Sequence, residues 1–133
     1  MNLHPDPITE PISIRQAIGK DGWIDYRRGY GAARVTWQRY EFARPCLSIR
    51  KSWMGWKPTI EGRERRFSQS EAKTLQSFPE SFEFTGNYFQ IWQRLGNSMP
   101  PLLMFCLARH IRTAVLGKLL GIGEEVALRT LNL

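Results

Sequence analysis

The sequence of 133 residues predicts an α+β fold, on three observations. Short β-prone pieces, Val35-Thr36-Trp37, Tyr40-Glu41-Phe42 and Leu47-Ser48-Ile49, are separated by Gly, Pro and charged residues, which favours short strands and loops. Ser68 and Glu71 form a capping box, in which each side chain satisfies a free backbone N–H at a helix start. Pro100-Pro101 precedes seven consecutive apolar residues, Leu102 to Ala108, and opens a helix whose first N–H groups need no intrahelical partner. The length suits one domain with a modest core. An apolar content of 42% with five tryptophans argues for a folded chain.

Composition narrows the function. No run of 18 apolar residues occurs, and the start, Met-Asn-Leu-His-Pro-Asp-Pro, lacks the charged-then-apolar layout of a signal peptide. Cys46 and Cys106 fit neither a metal spacing nor a disulfide framework. The expectation is a soluble cytoplasmic protein with reduced thiols, no metal and no membrane partner. The net charge of +7 is unevenly placed: residues 20–66 hold twelve Lys or Arg against five Asp or Glu, and the remainder balances. Concentrated positive charge suits a polyanion, because each phosphate contact releases counterions. A solvated basic face is the plainer alternative.

In order, residues 1–19 form a Pro-punctuated lead-in ending in a helical turn, with Ser13 as cap and Gly19 as stop. Residues 20–64 interleave the basic excess with Trp23, Tyr26, Tyr30, Trp37, Tyr40, Trp53 and Trp56. Aromatics among arginines stack on bases and bind phosphates. Trp23 and Trp37 read as core, whereas Arg50, Lys51, Trp53, Trp56 and Lys57 flank an expected exposed turn at Met54-Gly55 and are DNA candidates. Arg27 and Arg28, just before Gly29, form a second candidate loop. Residues 65–99 hold the capped helix, with Leu75 and Phe78 on one face and Pro79 at its end, then a connector and a tight Gly96-Asn97-Ser98 loop. The last helix is expected from Pro100 to about Leu116 within a segment 100–120. Its buried stripe would be Leu103, Leu107, Ile111, Ala114 and Val115, its wet side Arg109, His110, Arg112 and Thr113. Cys46 and Cys106 read as small core residues, and the tail 121–133 offers nothing specific.

The helix and loop carry a resemblance. Arg66, Glu71, Leu75, Gln76, Phe78, Pro79 and Phe82 fall as in R-x(4)-E-x(3)-L-Q-x-F-P-x-x-F, and residues 96–101 read as G-N-[SA]-[VM]-P-P. In order and about ten residues apart, they resemble the last two conserved blocks of DNA (cytosine-5)-methyltransferases. Ser13 to Gly19 is similar to the S-[VI]-R-x-A-I-G segment that often follows the eighth block, and Arg44 to Ile49 to the R-P-x-x-[TS]-I pattern ahead of the ninth.

The resemblance implies that residues 20–64 are a small target-recognition segment and that 65–84 brace it, with Arg66, Glu71 and Gln76 as hydrogen-bonded structural residues. It implies that Gly96, Asn97 and Ser98 reach the S-adenosylmethionine site. It implies that the last helix docks through Leu102, Leu103, Phe105, Leu107 and Ile111 on a Rossmann-like catalytic domain missing from this chain. The sequence holds no Gly-rich first block, no Pro-Cys-Gln nucleophile motif, no Glu-Asn-Val and no Gln-x-Arg-x-Arg. Cys46 is followed by Leu47-Ser48, so no catalytic residue is expected here. The reading is a subunit of a split cytosine-5 methyltransferase, inactive alone, whose partners are double-stranded DNA and a chain carrying the earlier blocks. An inactive remnant and a free-standing basic DNA-binding module are the alternatives.

Overall fold

The structure, a computed structural model, describes residues 10–28, 36–52 and 55–121. Two compact units divide the chain, Pro11–Met99 and Pro100–Leu133 with Met1–Glu10.

The first unit opens with helix α1 (Ile14–Ile18), a single turn held at both ends. Ser13 and Gln16 form a capping box, and Gly19 at φ 67° ends the turn as a left-handed C-cap. Strands β1 (Gly22–Arg28), β2 (Thr36–Glu41), β3 (Trp56–Ile60) and β4 (Arg63–Glu64) then build one antiparallel sheet in the order β2-β1-β3-β4. The Glu61-Gly62 turn joining β3 to β4 has positive φ at both residues, as a tight hairpin requires.

The sheet buries one face. Trp23 of β1 lies opposite Glu41 and Thr59, and Ile24 opposite Tyr40 and Pro58. Directly opposed residues share a face, so Ile24, Tyr26, Tyr40, Trp56, Pro58 and Ile60 face the core. Trp23, Asp25, Arg27, Trp37, Arg39 and Lys57 face outward. Helices α2 (Gln69–Leu75) and α3 (Tyr88–Asn97) complete this unit, and Ile14, Ile24, Phe42, Ile60, Phe67 and Leu95 are its largest fully buried side chains. Phe42 stacks on Phe67 with ring centroids 5.8 Å apart.

The strands differ in detail from expectation. Thr36 to Glu41 is one strand, because Gln38 and Arg39 tolerate a half-exposed ladder between the two β-prone pieces. Phe42 lies past its end, and Leu47-Ser48-Ile49 runs without strand pairing. Val35 lies outside the described residues. Trp37 is exposed and Trp23 half-buried, not core, because strand parity turns both outward. Among the described residues the buried tryptophan is Trp92, in α3, a helix that replaces the expected connector. Helix α2 stops at Leu75, with Phe78 beyond it in a cluster with Phe82 and Phe84.

In the second unit, helix α4 (Pro101–His110) starts at the expected proline pair and continues through a π-helical turn, Ile111–Leu116, into α5 (Gly117–Leu120). The helix therefore runs past the expected end at Leu116. A glycine inside a helix costs only about 1 kcal/mol relative to alanine, so Gly117 does not stop it, and Gly121 at φ 64° does. No residue of α4 or of the π-helical turn is buried. The expected buried stripe is uncovered: Leu103 and Ile111 are exposed, and Leu107, Ala114 and Val115 half-buried. On the expected wet side Arg109 is exposed and His110, Arg112 and Thr113 half-buried, and Cys106 is half-buried, not core. Among the described residues no helix is long and apolar enough to cross a membrane.

Candidate functional site

Gly96 and Asn97 are the last two residues of α3, and Ser98 is its C-cap, so the expected tight loop is a helix end. The reason is local packing. Gly96 lies directly against the backbone of Arg50 and Lys51, and a Cβ there would fall within 3.0 Å of the Arg50 carbonyl and the Lys51 nitrogen. One turn earlier, Trp92 Nε1–H donates to the Arg50 carbonyl at 3.0 Å. The Leu95 carbonyl accepts from Gln76 Nε2 at 2.9 Å and from Ser98 Oγ at 2.7 Å. These contacts fasten α2, α3 and residues 50–51 together at one place. Gln76 is buried there and donates its amide N–H to that carbonyl.

Glu71 is the second junction. The residue is 7% exposed, and its carboxylate accepts from Arg65 Nη1 and Nη2 at 2.8 Å each, Lys20 Nζ at 2.9 Å and the Ser68 N–H at 2.7 Å. The Arg65 hydrogen bonds, with those from Lys20 and Ser68, outweigh burial and pull its pKa down to about 2. The carboxylate ties α2 to residue 20 ahead of β1 and to the segment following β4. Its arginine partner is Arg65; Arg66, expected as a structural polar residue, is exposed and stands over the Tyr88 and Phe89 rings.

The DNA candidates separate by face. Arg27 and Lys57 are exposed on the outer face, and Lys57 Nζ lies 4.8 Å from the Trp37 ring centre. Trp56 is on the core face, edge-on to Trp92 with centroids 6.4 Å apart; strand parity withdraws it from any exposed turn. Arg28 is exposed at the end of β1, and Arg50 and Lys51 are exposed where α3 holds their backbone. Trp53 and Met54 lie outside the described residues. Sequence reasoning missed Arg39, whose guanidinium sits 4.4 Å from the Trp23 ring centre and 3.2 Å from Asp25 Oδ1. The period-2 alternation about Asp25 was the available signal.

Cys46 is half-buried, donates to the Leu47 carbonyl, and burial pushes its thiol up to about 12. Burial thus favours the protonated thiol, the less nucleophilic form. Among the described residues no cluster of three or more His, Cys, Asp or Glu can hold a metal ion.

A family model described as C-5 cytosine-specific DNA methylase matches residues 10–113. The chain belongs to this family. It is 39% identical over 108 residues to the type II methyltransferase M.AgeI of Thalassovita gelatinovora, covering 80% of this chain and 23% of that relative. It is 38% identical over 58 residues to the type II methyltransferase M.AplI of Arthrospira platensis, covering 44% of this chain and 17% of the relative. DNA (cytosine-5)-methyltransferase 3 of Arabidopsis thaliana is 36% identical over 52 residues, 39% of this chain and 4% of its own length. The chain thus spans less than a quarter of the length of these curated relatives. No solved structure matches it.

The match covers the Glu71 junction, the end of α3 and the start of the last helix. Within the G-N-S motif the three residues divide by environment. Gly96 is packed on backbone, Ser98 caps α3, and Asn97 alone presents an exposed polar side chain.

Proposed function

We propose that this chain is the DNA-recognition and cofactor-side subunit of a split DNA (cytosine-5)-methyltransferase, inactive alone. A separate chain carrying the earlier conserved blocks supplies the thiolate, the general acid and most of the cofactor pocket. The observation that carries this reading is the last helix: Leu102, Leu103, Phe105 and Ile111 are each about half or more exposed, on a helix apolar on every side. Such a helix is ordinarily buried, and a catalytic domain is the cover the family resemblance supplies.

S-adenosylmethionine supplies the methyl group when bound. Of the three motif residues, Asn97 presents the exposed polar side chain that would hold it, while Gly96 and Ser98 would act by shaping the end of α3. In the assembled enzyme Asn97→Ala is expected to weaken S-adenosylmethionine binding by about 1–3 kcal/mol. Calorimetry giving wild-type affinity would reduce Asn97 to a helix-end residue.

Reconstitution tests the proposal itself. Purified alone, the chain should transfer no methyl group to DNA. Mixed with a chain bearing the first eight blocks, it should form a 1:1 complex, and cytosine methylation should appear only then. Leu103→Asp and Phe105→Asp alter exposed positions, so this chain should still fold, yet each buries a charge on docking and should weaken assembly at least a hundredfold. Arg109→Ala, on the exposed polar side, should assemble normally. Methylation by the isolated chain, or no complex and no activity after mixing, rules the proposal out.

A further inference from the structure

The outer sheet face has a composition that the core-facing side does not share. The middle row across β2-β1-β3 is Arg39, Asp25 and Lys57, and the next is Trp37, Arg27 and Gly55. Asp25, the acid at the centre, is already engaged by Arg39 at 3.2 Å and by Trp23 Nε1–H at 3.1 Å. Arg27 and Lys57 make no ion pair among the described residues. Trp37, on the edge strand beside Arg27, is 49% exposed, with the Lys57 ammonium over its ring. Glu41 lies at the other end, opposite Trp23, so positive charge gathers toward the Arg27 end of β1.

We infer that this open face, through Arg27, Lys57, Arg39 and Trp37, is the surface that receives duplex DNA. The inference rests on the proposed recognition role of residues 20–64. It adds the face and two residues, Trp37 and Arg39, and removes Trp56. The physical argument is one of desolvation. An apolar protein surface laid here would strip water from three cations with one engaged carboxylate between them, leaving charge uncompensated. A phosphate backbone compensates that charge and releases counterions as it does so. The aromatic ring positions the ammonium from beneath while its outward N–H donors remain available. Exposed Trp37 then meets sugar or base edges beside the phosphate contacts.

Duplex binding by the whole chain, followed by fluorescence anisotropy between 50 and 200 mM salt, tests the inference. Each phosphate contact contributes about 0.9 to the log–log salt slope. Arg27→Ala with Lys57→Ala should therefore make the slope shallower by about 1.8, equivalent to about a tenfold smaller loss over that range. Trp37→Ala should lower affinity severalfold at every salt concentration with the slope unchanged, since the ring carries no charge. Arg63→Ala removes an equal charge from β4, opposite Ile60 on the core-facing parity, and should change the slope by well under half as much as Lys57→Ala. Melting curves should match wild type for Arg27, Lys57 and Arg63, all exposed. If Arg63→Ala and Lys57→Ala act equally, or the double variant keeps the wild-type slope while reconstituted enzyme still methylates DNA, the face assignment is wrong and the recognition role stands. If wild type binds no duplex, alone or reconstituted, the recognition role fails as well.

Discussion

Gly96→Ala should destabilise the Pro11–Met99 unit by about 3 kcal/mol, even though helix propensity argues the other way. Alanine in place of glycine inside a helix gains about 1 kcal/mol, and Gly96 lies in the last turn of α3. Space decides the sign. The added methyl would sit within 3.0 Å of the Arg50 and Lys51 backbone, which cannot swing aside as a flexible side chain does. Either α3 retreats or the segment 50–51 does, and both movements pull on the Trp92 hydrogen bond to Arg50. For a unit of this size each kcal/mol lowers the midpoint by about 4–8 °C, so thermal melting followed by circular dichroism should show a fall of about 15 °C. A midpoint equal to or above wild type would mean that α3 and residues 50–51 are not in contact. Reconstituted with a catalytic chain, the same variant should lose DNA affinity more than cofactor affinity, because Arg50 and Lys51 are the residues displaced.

The elements that sequence reasoning placed well are those specified by neighbouring residues. The Ser68–Glu71 box and Gly19 act within one helical turn, and the structure uses each as expected. The proline pair at 100–101 does the same for α4. Helix α3 was hidden because its signals read as turns. Gly86-Asn87 supplies an N-cap, with Gln90 closing the box, and Gly96-Asn97-Ser98 ends the helix; Gly and Asn in those places are turn residues in any sequence. Which tryptophan is core depended on strand parity. Trp37 and Trp56 look alike in composition, and one residue of register exchanges their faces. That Glu71 takes Arg65 and Lys20 as its cationic partners is a matter of side-chain direction, which spacing alone does not encode. The apolar helix was legible as an oddity from its seven-residue run, and only the structure showed how many of its large apolar side chains are exposed.

Glu71 should make stability fall in acid over a defined window. Its folded pKa, about 2, lies below the ordinary carboxyl value of 4.5. The unfolded chain therefore binds the proton first as pH falls, and the contribution is whole above about pH 4.5 and lost as pH drops through 2. A depression of that size corresponds to about 3 kcal/mol. Lys20 and Arg65 are 38% and 35% exposed, so solvent screens part of it, and about 2 kcal/mol is expected at neutral pH. Glu71→Gln keeps an oxygen for the Ser68 N–H but drops both ion pairs. Urea titrations should find it about 2 kcal/mol less stable than wild type at pH 7, with the gap closing between pH 4.5 and 2. Raising salt to 1 M at pH 7 should narrow the gap only in part, because the carboxylate is buried while its partners are not. A gap independent of pH would show that Glu71 acts as a neutral cap and that the Lys20 and Arg65 contacts contribute nothing to holding α2 against the sheet.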